Sequence, residues 1–85
     1  MVNINTLCNR LTKNGLDAEI VILTRNNFPY HAIRVKHDYN GLYPDGETMR
    51  KHHAACEIAR RAGYKAEQRG SYTATYINTW NVERL

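Results

Sequence analysis

The sequence predicts an α+β domain, a two-layer αββαββ sandwich in which a four-stranded, mainly antiparallel sheet carries two helices on one face. Three observations predict it. Apolar or small residues recur at helical spacing over 4–11 and again over 48–62. Each of these stretches ends at a glycine, Gly15 or Gly63, followed by a large apolar residue. Each is then followed by two strand-like segments with turn residues between them.

Ile4, Leu7, Cys8 and Leu11 stand at i, i+3, i+4 and i+7, one face of a helix expected over 4–14. Asn3 is its expected N-cap, accepting an orphan backbone N–H, and Gly15 its left-handed stop, with Leu16 packing back on Leu11. Residues 18–24 (Ala-Glu-Ile-Val-Ile-Leu-Thr) are short, rich in β-branched side chains and expected as a strand. Asn26-Asn27-Phe28-Pro29 is expected as a loop, since Asn tolerates left-handed geometry and Pro29 has no N–H to give a central strand. Residues 30–37 return as the second strand of a hairpin.

Residues 38–44 are expected as a loop carrying the turn signals Asn40-Gly41 and Pro44-Asp45-Gly46. Asp45 is placed to cap a second helix over 47–62. Its inner face is expected to hold Thr48, His52, Ala55, Cys56, Ala59 and Ala62, with Arg50, His53, Glu57, Arg60 and Arg61 opposite. Small residues inside let the helix backbone sit close to the sheet. Residues 64–69 are expected as an edge strand and 72–80 as a central one, beside the central strand 18–24. The domain is expected over 1–80, with 81–85 a loose tail.

Lys13-Asn14-Gly15-Leu16-Asp17-Ala18-Glu19 aligns with Arg61-Ala62-Gly63-Tyr64-Lys65-Ala66-Glu67, in a shift that also superposes Cys8 on Cys56. A duplicated αββ unit, 3–37 and 45–80, explains the match. Recurrent helix-stop-then-strand chemistry also explains it without duplication, and few positions match elsewhere along the alignment. The succession of helix, hairpin and helix over 4–62 is loosely similar to small double-stranded-RNA-binding-like domains. Those have three strands between their helices where two are expected here, and none of their RNA-contact motifs is present, so the resemblance assigns no residue a role.

Composition narrows the function classes. At 85 residues, 42% of them apolar, the chain holds one thin core. No apolar run approaches the roughly 18 residues that span a bilayer, and the first residues lack the basic-then-apolar order of a signal peptide. Two cysteines are too few for a disulfide scaffold, which points to a reducing, cytoplasmic setting. Twelve Lys and Arg against eight Asp and Glu give a formal net charge of +4. The segment 50–69 supplies that excess, with six basic residues against Glu57 and Glu67, while the first half is close to neutral.

That segment nominates Arg50, Arg60, Arg61, Lys65 and Arg69 for contacts to nucleic-acid phosphates, with Tyr64, Tyr72 and Tyr76 available to stack on bases. A solvated helix face with Glu57 pairing Arg61 is the plainer reading. The competing function is a protein-interaction module, a small regulator or inhibitor of the kind found among phage and mobile-element accessory proteins. It would use the open sheet face (Val21, Leu23, Arg34, Lys36) and the 38–46 loop with Tyr39 and Tyr43; that face also offers a homodimer contact. Aromatic side chains or the tail would otherwise cover Val21 and Leu23.

No catalytic set is expected. Cys8 and Cys56 lie on apolar helix faces, where burial raises a thiol pKa, and neither paired carboxylates nor a glycine-rich phosphate loop is present. His52 and Cys56, at i and i+4, have a zinc-chelating spacing, with His37 and Asp38 as distant complements. A hydrogen-bonded core imidazole beside an inert thiol fits the same positions, and neither a metal nor a cofactor is expected.

Overall fold

A computed structural model describes residues 2–39, 45–68 and 73–78. In chain order the elements are α1 (Ile4–Lys13), β1 (Asp17–Arg25), β2 (Phe28–Lys36), α2 (Gly46–Arg61), β3 (Lys65–Gln68) and β4 (Ala74–Asn78). The strands form one antiparallel sheet in the order β1-β2-β4-β3. This is the expected αββαββ domain. Residues 40–44 of the expected 38–44 loop, residues 69–72 with the expected Gly70-Ser71 turn, residues 79–80 of the expected last strand and the expected tail at 81–85 lie outside the described residues.

Both helices start and stop as their sequences dictate. Asn3 Oδ1 accepts from Thr6 N–H at 2.9 Å, and Asp45 Oδ1 accepts from Thr48 N–H at 2.7 Å. At the C-termini Gly15 and Gly63 adopt φ of +81° and +88°. Leu16 N–H then donates to Leu11 O, and Tyr64 N–H to Ala59 O, the same closure at both stops.

Leu7 and Leu11 of α1 meet Ile33 and Val35 of β2, Ile77 of β4, Ala55 and Ala59 of α2, and Ala62 at its C-cap in one core. Cross-strand partners share a face, so the register places Ala18, Ile20, Ile22, Ile33, Val35, Thr75, Ile77 and Ala66 on the helix side. Tyr64 joins the core and donates its hydroxyl to Val2 O at 2.7 Å, tying the N-terminal segment to the end of α2.

Two expectations are corrected. The 18–24 strand is not central: β1 is an edge, because the two hairpins meet through their returning strands β2 and β4. Of the described strand residues, those buried completely are accordingly on β2 and β4 (Ala32, Ile33, Val35, Thr75, Ile77), while none on β1 is buried. Nor is Phe28-Pro29 loop. The turn is only Asn26-Asn27, both at positive φ (49° and 68°), the twist-matched two-residue hairpin geometry. Pro29 sits in β2 opposite Thr24, but β4 pairs β2 only from Ala32 onward, so no ladder bond asks for its missing N–H.

Candidate functional site

The outer surface of the helical layer concentrates cation. Arg50, Arg60 and Arg61 stand on the solvent side of α2 with side chains 77%, 75% and 77% exposed. Glu57 lies between the last two. Its carboxylate accepts from Arg60 at 2.7 Å and from Arg61 at 3.1 Å, and these hydrogen bonds hold its pKa below the usual range. Glu47 makes looser pairs with Arg50 (3.8 Å) and Lys51 (3.7 Å). Exposed i+3 and i+4 pairs of this kind cost little to open. Two acids answer four cations on α2, so the face stays positive.

Sequence reasoning missed Arg10 and Lys13. Both lie exposed in the last turn of α1, a helix with no acidic residue at all. Asn14 and Gly15, which follow them, border with Arg50, Lys51 and Ala54 a shallow groove of about 310 Å³. The C-terminal end of α1 thus extends the basic surface of α2. The cue was present in sequence as two cations with no acid over one helix. A charge count along the chain, which found the first half neutral, averaged it away against Asp17 and Glu19 of the sheet.

The five nominated phosphate-binding residues are not all brought together. Lys65 pairs with Asn78 on the sheet face away from the helices, since its neighbour Ala66 packs against the core. It reaches the helical layer only at the rim, where Lys65 and Arg60 border a groove of about 290 Å³ with Cys56 and Tyr64. Arg69 lies outside the described residues.

On the open sheet face, charge is largely answered in place. Arg34 Nε donates to Glu19 Oε1 at 2.8 Å, and Arg34 Nη2 donates to the same oxygen. Lys36 approaches Asp17 at 3.9 Å and Glu19 at 4.0 Å. This pairing holds Glu19 down and, together with Tyr76, raises Arg34. Val21 and Leu23 point to this face opposite Ala32 and Tyr30, and both are half-buried. Tyr39 is half-buried and Tyr43 lies outside the described residues.

A third constellation sits between the layers. His37 Nε2 and His52 Nδ1 each lie 2.7 Å from Thr75 Oγ1, and Cys56 Sγ is 3.7 Å from His52 Nε2. One hydroxyl proton serves only one ring, so the other imidazole must donate to the hydroxyl oxygen; the two tautomers are coupled. Burial lowers both histidine pKa values and raises those of Cys8 and Cys56, favouring neutral rings and protonated thiols. Thr75 stands between the rings, and among the described residues no three His, Cys, Asp or Glu side chains are grouped to hold a cation.

Also among the described residues, no helix is long and apolar enough to cross a membrane. Comparison with protein-family models, curated proteins and solved structures found no match to the chain.

Proposed function

We propose that the chain is a small non-enzymatic binding domain that contacts nucleic-acid phosphates through the outer surface of its helical layer. Arg50, Arg60 and Arg61 make the principal contacts, Lys51, Arg10 and Lys13 extend them, and Lys65 adds charge at the rim. One observation carries the reading: charge is divided by layer. The helices hold six cations against Glu47 and Glu57, whereas the acids of β1 face the cations of β2 across the open sheet face. Guanidiniums on an exposed helix suit phosphate oxygens, and such contacts position a protein without reading sequence. The two half-buried free thiols are in keeping with a reducing, cytoplasmic setting.

The protein-interaction reading, that of a small regulator of phage-accessory type, draws support from a different place than expected. Arg34 and Lys36 are engaged within the sheet, while among the described residues the exposed large apolar side chains are Ile20, Ile22 and Phe28 on the β1–β2 hairpin.

Fluorescence anisotropy with labelled single- and double-stranded oligonucleotides at low salt separates the two. Arg60→Ala/Arg61→Ala weakens binding at least about tenfold, as expected for two lost phosphate contacts, while Arg34→Ala/Lys36→Ala leaves it nearly unchanged. Equal loss from both pairs, or no binding by any form, overturns the reading.

A further inference from the structure

We propose that the outer edge of β1, which pairs with no strand among the described residues, is a self-association site, at which two copies of this chain pair β1 to β1 in antiparallel register about Val21 and form a continuous eight-stranded sheet.

The two sheet edges differ. β3 is four residues long, and short edge strands resist adventitious pairing. β1 runs nine residues without Pro, Gly or Lys, and its unbroken register against β2, from Asp17↔Lys36 to Arg25↔Phe28, contains no bulge. None of those common obstructions is present. Two exposed apolar side chains stand here as well. Ile20 and Ile22 face the helix side of the sheet, where Ala18 packs against the core, yet are 38% and 67% exposed.

Hydrogen-bond polarity selects which residues can pair. Arg25 and Phe28 close a two-residue turn, so Asp17, Glu19, Val21, Leu23 and Arg25 exchange bonds with β2. Ala18, Ile20, Ile22 and Thr24 therefore turn their N–H and C=O groups to the open edge. An antiparallel second copy must set these residues against one another, and centring on Val21 does so for all four.

That centring is also the one the side chains favour. Ile20 lies opposite Ile22 of the second copy, and Ile22 opposite its Ile20, so each exposed isoleucine covers another. At both ends Asp17 meets Arg25 of the second copy, and Val21 meets its own counterpart on the axis. Centring on Ile20 would set Asp17 against Leu23 and Ile22 against Ala18. Centring on Ile22 would leave Asp17 unopposed and set Ile20 against Thr24. The strand is complementary to itself in one register, as a two-fold interface requires. Because paired residues share a face, both helical layers emerge on the same side of the joined sheet.

Sedimentation velocity over a wide concentration range, without nucleic acid, tests this. The expected result is a concentration-dependent species of twice 9.9 kDa. Ile22→Lys, at an exposed position, raises its dissociation constant at least about tenfold with an unchanged circular dichroism spectrum. Arg25→Asp also weakens it, and Asp17→Arg/Arg25→Asp restores it, which reports the register. A 9.9 kDa species at every concentration overturns the proposal. So does a dimer indifferent to Ile22→Lys, or a charge exchange that fails to restore association.

Discussion

Thr75 offers one hydroxyl proton to two imidazoles, and this ties β4 both to α2 and to the residue that follows β2. Thr75→Val keeps the shape of the side chain but strands a ring nitrogen of His37 and one of His52. Urea denaturation should show a loss of about 1–3 kcal/mol, the usual cost of unpaired buried polar groups. The same pair sets a pH dependence. Both folded-state pKa values lie below the ordinary value near 6.5, so the unfolded chain takes up protons first as pH falls. The contribution is whole above that pH and is lost on acidification toward the folded-state values. Unfolding free energy should therefore decline between about pH 7.5 and 5.5, where carboxylates stay ionised; a flat profile would contradict the assignment. Helical periodicity alone puts His52 and Cys56 on the inner face of α2. His37 was nominated beside them, but Thr75 as the residue joining the two rings was not legible, because it requires the β2–β4 register that sets Val35 opposite Thr75.

The turn between β1 and β2 shows how an element is fixed by two residues. Asn26 and Asn27 both occupy the left-handed region, which Asn enters at small cost and a β-branched residue does not. Asn27→Val should lower stability by about 1–2 kcal/mol, while Asn27→Gly should be neutral or stabilising; thermal and urea unfolding check both. The Asn pair was readable as a turn. Its tightness was not, since Pro29 signals a loop unless one knows that β4 stops short of it. Strand order was illegible for a similar reason. The aliphatic run Ile20-Val21-Ile22-Leu23 has the composition of a central strand, yet both hairpins place their second strand inward. Local patterning describes a strand's faces and is silent on its neighbours. By contrast, helix caps and stops depend on residues three or four apart, and Asn3, Gly15, Asp45 and Gly63 all act where their chemistry places them.

Among the described residues, the helix side of the sandwich carries an excess of positive charge, while on the sheet side the acids of β1 pair with the cations of β2. Arg50, Arg60 and Arg61 were legible as one helical face. Arg10 and Lys13 joined them only through the packing of α1 beside α2, and Lys65 left them because its strand turns it to the other face. Glu57 restrains two of the cations, so Glu57→Gln should strengthen oligonucleotide binding at low salt; unchanged affinity would place Arg60 and Arg61 outside the interface. The salt dependence of binding is the most direct test. If four to six cations of the helical layer meet phosphates, the logarithm of the association constant should fall against the logarithm of salt with a slope of about −3 to −5. Arg60→Ala/Arg61→Ala should reduce that slope by about two. No binding at low salt, or a slope that survives loss of both arginines, would contradict the account.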